Sequence, residues 1–397
     1  MTAGGASAPV AGEGDGVLSL FAEPDPTAAL PVRTFRHLPA LDGLRGVAVA
    51  LVVAFHFYGH RVVTGGGAGV DVFFVLSGFL ITVLLLQERD RTGRVDVLAF
   101  YGRRARRLLP ALVAFLGVWL VLFALFRHSS WFSATPSGDG TGHPLAVTES
   151  LQDVLWSLLY SANWDVIDGG MAAPLPHLWS LSVEEQFYLA WPLVLTLLLT
   201  FSARFRLRLV LLAAVTSAIL PLLLWDGGRG ADRIYFGTDT RMVGLLAGSV
   251  AAMCWRRRTS GDPRSGPRRA ALGAVVVLGM ALFQQDVPAR YLVGFAALAL
   301  ASCQVVLHLA EGPSPLGSVL SLAPLRWLGR RSYALYLWHY AWATWTHPWG
   351  PWVGGAIGIT GAMVCSELSW RWVERPVLAR EAHRTPAERV LVGAHAG

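Results

Sequence analysis

Residues 38–58 read LPALDGLRGVAVALVVAFHFY, an apolar stretch long enough to span a membrane that nevertheless contains an arginine and a histidine. On an α-helix, Arg45 and His56 are separated by about three turns plus about 20°, with a rise of about 16 Å. The two side chains therefore share one face, with Arg45 near the start of the span and His56 near its far end. Ionisable residues inside a membrane are costly and usually functional, so both are candidate site residues. The alternative is that Arg45 extends to the lipid headgroups and His56 is an ordinary interfacial histidine.

The composition of the whole chain also indicates a membrane protein. Of the 397 residues, 54% are hydrophobic and 15% are charged, and the mean hydropathy is +0.47, too apolar for a soluble globular protein. At about 20 apolar residues per span, the sequence predicts an all-α integral membrane protein, a bundle of about ten transmembrane helices. The predicted spans are 39–58, 70–87, 108–126, 179–201, 207–225, 240–255, 270–284, 291–309, 333–347 and 353–372.

The arginines predict the topology. The net charge is +7 and every basic residue is arginine, but the arginines lie between the apolar runs, so nucleic-acid binding is not expected. One set of alternate connections contains most of them, which predicts a multi-pass protein of the cell membrane with cytoplasmic N- and C-termini. Six arginines are assigned to the outer side of the membrane: Arg61, Arg127, Arg229, Arg233, Arg241 and Arg290. The predicted organisation is a disordered N-terminal tail at 1–36, a transmembrane domain at 37–377 and a C-terminal tail at 378–397.

The long outer connection and the cysteines are the remaining features of the sequence. The long outer connection, 127–177, contains apolar residues at helical spacing around 151–159, which predicts an amphipathic helix on the outer surface. The three cysteines, Cys254, Cys303 and Cys365, are isolated in apolar runs without metal-ligand spacing. We therefore expect no metal site.

The strongest cationic feature is FYGRRARRLLP, just before the third span. Arg103, Arg104 and Arg107 lie close together on a helix, and guanidinium groups bind phosphate oxygens in a bidentate manner. This segment is a candidate site for a phosphorylated donor. The alternative is charge that sets topology beside anionic lipid.

The fourth span begins HLWSLSVEEQFYLAWP and places His177, Glu184 and Tyr188 on one helical face. We expect Glu184 at a depth similar to that of His56, where a hydrogen bond between them would fix the imidazole tautomer for general-base catalysis. Glu185 points about 100° away and is the weaker candidate. The alternative is a structural polar pair between helices.

Two further segments supply candidates. Asp71 opens the second span and either caps that helix or contributes to catalysis. In the ninth span, SYALYLWHYAWATW, the residues Tyr336, His339 and Tyr340 share one face. They either line a path for the acceptor or the acyl group, or belong to ordinary membrane packing.

Six blocks in this order resemble the membrane-bound acyltransferase-3 family over about residues 36–377: LPALDGLRGVAVALVVAFHF, GVDVFFVLSGFLIT, FYGRRARRLLP, LWSLSVEEQFYLAWP, YALYLWH and WVERP. The resemblance implies an integral membrane enzyme that moves an acyl group, commonly acetyl, from cytoplasmic acyl-CoA to a hydroxyl or similar acceptor. The Arg-x10-His motif of the family falls on Arg45 and His56, and its glutamate of the fourth span on Glu184. Its Arg-Arg-x-x-Arg motif falls on Arg103, Arg104 and Arg107.

The expected mechanism joins these sites. Coenzyme A docks on the arginines of the Arg-Arg-x-x-Arg motif, its arm passes Arg45, and His56 acts as general base or is transiently acylated, with Glu184 orienting it. The candidate catalytic residues are His56, Glu184, Arg45 and Asp71. The candidate acceptor-binding residues are His339, Tyr336, Tyr188 and His177.

The sequence leaves alternatives open for the acceptor and for the class of reaction. Family members acylate cell-envelope glycans or macrolide-like antibiotics, and the sequence leaves both acceptors open. Some members carry an additional extracytoplasmic esterase-like domain, whereas this sequence ends soon after WVERP, so a second transfer step would need a separate partner. The rival function is a proton-coupled transporter or flippase of an envelope precursor, against which the lack of a visible repeat argues.

Overall fold

A computed structural model describes residues 34–58, 62–126, 128, 146–169, 175–227, 230–257, 266–282 and 288–382. The regular elements in these ranges are all helical, as predicted. The α-helices are α1 (Pro39–Tyr58), α2 (Ala68–Thr92), α3 (Val97–Phe126), α4 (Val147–Leu158), α5 (Ala162–Ile167), α6 (Trp179–Leu198), α7 (Ala203–Leu224), α8 (Ala231–Phe236), α9 (Thr238–Arg257), α10 (Gly266–Leu282), α11 (Phe295–Glu311), α12 (Pro315–Leu320), α13 (Ala323–Arg330), α14 (Ser332–Thr346), α15 (Gly355–Ser369) and α16 (Arg375–Ala382). Turns of π-helix at Arg290–Gly294, Gly350–Gly354 and Trp370–Glu374 adjoin α11 and α15.

Each predicted span coincides with a helix. Five of the described helices are long and apolar enough to cross a membrane by length and composition: Pro39–Tyr58, Ala68–Thr92, Val97–Phe126, Ala203–Leu224 and Arg290–Glu311. The helices at the other predicted spans, α6, α9, α10, α14 and α15, are shorter or more polar. The all-α membrane fold is therefore confirmed.

The predicted helix of the long outer connection is present as α4, and the predicted tails are only partly described. In α4, Leu151 and Leu155 are exposed, whereas Val154 is buried together with the polar residues Ser150 and Asp153. Of the predicted N-terminal tail, residues 1–33 lie outside the described ranges. Residues 383–397 of the predicted C-terminal tail also lie outside them.

Helices α2 and α9 run parallel and in close contact at the centre of the bundle. Three contacts follow one another in the same order along both helices: Asp71 with Arg241, Thr82 with Ser249, and Asp90 with Arg256. Near the middle, a Cβ on Gly78 would lie 1.9 Å from the Leu245 carbonyl oxygen, so glycine is required for this backbone approach. Helix α11 packs beside α9, where the Trp255 indole of α9 donates to the Ala310 carbonyl of α11 at 3.1 Å.

Helix α1 packs against α2, α13 and α14. Arg45 donates a hydrogen bond to Ser332 at the start of α14. Further along both helices, the His56 ring contacts His339 of α14. The face shared by Arg45 and His56 is therefore turned to α14. We call the end of the bundle where α1 ends and α2 begins the histidine end, and the opposite end, near the start of α1, the arginine end.

Candidate active site

His56 lies in the last turn of α1 and is half-buried. Its Nδ1 atom is 2.9 Å from the Val52 carbonyl oxygen, one helical turn earlier, and 3.2 Å from Nε2 of His339. His339 is fully buried, and its Nδ1 atom is 2.6 Å from the Tyr336 carbonyl oxygen. Both imidazoles are thus fixed by backbone carbonyls of their own helices.

These contacts assign the tautomer of each ring. A carbonyl oxygen only accepts, so Nδ1 of His339 carries the hydrogen and its Nε2 atom is an acceptor. By the same rule Nδ1 of His56 is the donor, shared between Val52 and His339. In the neutral ring the Nε2 atom of His56 therefore holds the lone pair, and it has no hydrogen-bond partner among the described residues. This nitrogen is available to accept a proton or to attack a carbonyl carbon.

The His56 imidazole belongs to a group of aromatic rings that we call the histidine cluster: His56, His177, His339, Tyr336 and Tyr340. Ring centroids of His56 lie 4.9 Å from His339 and 5.0 Å from Tyr340, and the Tyr340 ring stacks on His177 at 5.1 Å. The Tyr336 hydroxyl donates to the His177 carbonyl at 2.6 Å. The three candidate acceptor-binding residues His177, Tyr336 and His339 are thus brought together beside His56.

The expected hydrogen bond between Glu184 and His56 is not formed among the described residues. Glu184 instead accepts hydrogen bonds from the hydroxyls of Ser77 and Tyr188. The reason is depth: His177, not Glu184, reaches the histidine cluster, and Glu184 follows it by seven residues, about 10 Å along a helix toward the arginine end. Tyr188, the fourth candidate acceptor residue, lies with Glu184 and away from the histidine cluster.

Two of the candidate phosphate-binding arginines are paired with acids. Arg103 contacts Glu88 at 3.2 Å, and Arg104 contacts the buried Glu185 at 3.3 Å. The Arg104 guanidinium also covers the Tyr188 ring at 3.6 Å. Glu185 points about 100° away from Glu184 around the helix. This difference in direction places its carboxylate against α3. The basic segment forms the first part of α3.

Arg107 and Arg45 are placed differently. Arg107 has no hydrogen-bond partner among the described residues, and Arg45 makes one hydrogen bond, to the Ser332 hydroxyl at 3.2 Å. The two guanidinium groups are near enough for their charges to interact, with Glu374 as a neighbouring acid. Two adjacent guanidinium groups without a hydrogen-bonded carboxylate suit a phosphate group.

Asp71 is held by Arg241, an arginine that the sequence assigns to the outer side of the membrane. It is 2% exposed, and its carboxylate forms an ion pair with Nη2 of Arg241 at 2.9 Å. The helix begins after Gly67 without a side-chain cap, so the capping alternative for Asp71 is wrong. Arg241 and Arg290, expected outside the membrane, are both buried in the bundle. The only sequence feature that indicates this is their position at the edge of apolar runs.

The described part of the chain contains no group of three or more His, Cys, Asp or Glu residues placed to hold a metal ion.

Comparison with known proteins identifies relatives over nearly all of the described chain. The profile of a family described as an acyltransferase domain matches residues 38–371. The chain is 33% identical over 366 residues to the peptidoglycan O-acetyltransferase OatA of Listeria monocytogenes, covering 86% of this chain and 56% of the relative. It is 33% identical over 368 residues to the O-acetyltransferase OatA of Staphylococcus aureus, covering 86% of this chain and 57% of the relative. The chain thus spans little more than half the length of these relatives. No solved structure matches.

Proposed function

The chain belongs to the acyltransferase-3 family, and we propose that it is a membrane O-acetyltransferase that moves an acetyl group from acetyl-CoA to a hydroxyl of a glycan. The observation that carries the proposal is the geometry of His56. Its tautomer is fixed, its Nε2 atom is free, and the four other residues of the histidine cluster line the same end of the bundle.

In the proposed reaction, Nε2 of His56 takes the proton of the acceptor hydroxyl while the hydroxyl oxygen attacks the thioester carbonyl carbon. The carbon–sulfur bond breaks, an ester forms, and the departing thiolate receives the proton from His56. In the alternative course Nε2 attacks the thioester carbon and expels the thiolate; the acceptor hydroxyl then attacks the acetyl-imidazole, the carbon–nitrogen bond breaks, and the hydroxyl proton passes to the thiolate. Both courses require the same free nitrogen.

His339 acts as a positioning residue in either course. Its Nε2 atom accepts from Nδ1 of His56 at 3.2 Å, so it holds the ring and faces the positive charge that develops on the imidazolium. This is the role that the sequence assigned to Glu184. We assign to Glu184 the positioning of Tyr188 beside Arg104, and to Asp71 the charge balance of Arg241.

The donor is proposed to enter from the arginine end. Arg107 and Arg45 bind its phosphates, because neither guanidinium has a carboxylate hydrogen-bond partner among the described residues. Arg103 and Arg104 add positive charge to the same surface but are already paired with Glu88 and Glu185. The thioester arm then follows the shared face of α1, along which Arg45 and His56 are about 16 Å apart.

The acceptor is proposed to be a cell-envelope glycan, reached from the histidine end, with both chain termini on the cytoplasmic side of the cell membrane. The names of the relatives support a glycan over a macrolide-like acceptor, since the Listeria protein is a peptidoglycan O-acetyltransferase. His177, Tyr336 and His339 line the acceptor site together with Tyr340.

Purified full-length chain in detergent, supplied with labelled acetyl-CoA and a soluble peptidoglycan fragment, tests the proposal. We expect free thiol and acetylated glycan to form together, and only when both substrates are present. His56→Ala should lower the rate by about 10²–10⁴-fold. His347→Ala provides the matched control, because this histidine is exposed near the same end of the bundle.

Three results would overturn the proposal. One is thiol release that is independent of the acceptor, and another is a His56→Ala variant with near-full activity. The third is movement of an unmodified glycan across vesicles without thiol release, which is the behaviour of a flippase.

A further inference from the structure

Three charged residues are buried together where α2, α9 and α11 begin, at the histidine end. Asp71, Arg241 and Arg290 are 2%, 1% and 4% exposed. Arg241 is ion-paired with Asp71 at 2.9 Å, and Arg290 is near enough for its charge to act on the same carboxylate. The formal charge of this trio is +1, since two guanidinium groups face one carboxylate.

The hydrogen bonds of the trio are incomplete. Nε and Nη1 of Arg241, Nε and Nη2 of Arg290, and Oδ2 of Asp71 are buried without a hydrogen-bond partner. Each guanidinium has five N–H donors in a planar fork, and burying such donors unpaired is unfavourable. Neither the Asp71 carboxylate nor any other described side chain accepts a hydrogen bond from these guanidinium N–H groups.

Aromatic rings pack around the Arg241 guanidinium. The centre of its guanidinium lies 3.8 Å from the Phe295 ring centroid, 5.3 Å from Tyr235 and 5.4 Å from Trp179. Rings attract a cation through their faces, whereas N–H donors lie in the guanidinium plane and need oxygen acceptors. The N-termini of three helices add positive potential at this point. The arrangement is suited to one oxyanion.

The trio lies beside the proposed acceptor site. Trp179, which packs on Arg241, lies two positions after His177 of the histidine cluster. The next residue, Ser180, shares a 2.6 Å hydrogen bond with the Tyr336 hydroxyl. One side of the α6 N-terminus therefore contacts the charged trio and the other contacts the histidine cluster.

We propose that Arg241 and Arg290 bind an oxyanion, a carboxylate or a phosphate, that the acceptor carries, while Asp71 holds Arg241 in position. The identification of the acceptor as the molecule that carries this oxyanion rests on the proposed function. The donor phosphates are assigned to Arg107 and Arg45 at the arginine end, so the trio serves a different substrate. The site would distinguish an anionic glycan from a neutral one.

Anion binding by the purified full-length chain tests this directly. Thermal unfolding is followed by tryptophan fluorescence while D-lactate or inorganic phosphate is titrated, with lactamide and sodium chloride as controls. We expect a saturable rise of the unfolding midpoint with lactate for a carboxylate site, or with phosphate for a phosphate site. No acyl donor is present, so a failure of the transferase proposal leaves this result unchanged.

Variants assign the response to the trio. Arg290→Met should weaken the apparent affinity by roughly tenfold or more, the effect of losing a charged hydrogen bond. Arg233→Met is the matched control, because Arg233 already contacts both carboxylate oxygens of Asp239, at 2.8 and 2.6 Å. Arg107→Met removes the proposed phosphate site at the arginine end, so the part of the response that belongs to the trio should remain in this variant.

Asp71→Asn provides an independent readout if Arg290→Met does not fold. The amide oxygen of the variant can still accept from Arg241 and hold it in position, so the loss of the competing negative charge alone should tighten anion binding, which a purely structural role would not produce. The proposal is overturned if neither anion gives a saturable response, or if the response is equal in wild type and Arg290→Met. It is also overturned if the response is lost in Arg107→Met, or if Asp71→Asn binds no more tightly than wild type.

Discussion

The Nε2 atom of His339 lies 3.2 Å from the Nδ1 atom of His56, and it is the acceptor of that contact because its own Nδ1 atom is bound to the Tyr336 carbonyl. A histidine therefore fills the place that carboxylates often occupy behind a catalytic imidazole. A neutral acceptor introduces no second charge into the bundle, where an isolated carboxylate would be costly.

Replacing His339 should impair the chemical step rather than substrate binding. We expect His339→Ala to lower kcat by about tenfold or more, the cost of one hydrogen bond to a group that becomes charged, with the KM for acetyl-CoA unchanged. His339→Gln should recover part of the rate, because its amide oxygen can accept from Nδ1 of His56. Steady-state kinetics of both variants with labelled acetyl-CoA check this. Equal losses in the two variants would indicate a packing role instead.

Glu184 should matter less to the rate than His339. Its carboxylate accepts from Ser77 and Tyr188, and the amide oxygen of Glu184→Gln can accept one of these bonds. We therefore expect kcat to fall by less than about tenfold, with the shape of its pH profile retained. The same assay over a range of pH gives the measurement. A loss as large as that of His56→Ala would restore Glu184 as the partner of His56.

The two kinds of arginine at the arginine end should respond differently to substitution. We expect Arg107→Met to raise the KM for acetyl-CoA by roughly tenfold or more, because its guanidinium has no acid hydrogen-bonded to it and is free to bind phosphate. Arg103→Met is the matched control, since Arg103 is already paired with Glu88 at 3.2 Å. Binding of adenosine 3′,5′-bisphosphate to each variant gives an independent check. Indistinguishable affinities would contradict the assignment.

The close approach of α2 and α9 predicts a stability effect at Gly78. A Cβ there would lie 1.9 Å from the Leu245 carbonyl oxygen, and backbone cannot move aside as a flexible side chain can. We expect Gly78→Ala to destabilise the bundle by about 1–3 kcal/mol, the usual cost of overpacking. Gly117→Ala is the control, because nothing lies within 4 Å of its Cβ position. Thermal unfolding in detergent should show a lower midpoint for Gly78→Ala alone.

Much of the fold was predictable from the sequence because each membrane helix is specified by the residues of its own segment. Apolar length fixes where a span lies, and the bounds of α1 match the predicted 39–58. Helical periodicity fixes which residues share a face, and it correctly grouped Arg45 with His56 and Tyr336 with His339. These properties depend on one helix at a time.

What the sequence could not determine is how helices are rotated and displaced relative to one another. Glu184 and Glu185 differ by one position, yet the first faces Ser77 of α2 and the second faces Arg104 of α3. Likewise, Asp71, Arg241 and Arg290 come from three distant segments and meet only in the folded bundle. Such contacts are decided by side-chain packing and by close approaches such as that of Gly78 to Leu245, which join residues remote in the chain. The chain by itself therefore determined the helices and the face of each that carries chemistry, whereas the tertiary structure decided which of these faces meet and at what depth.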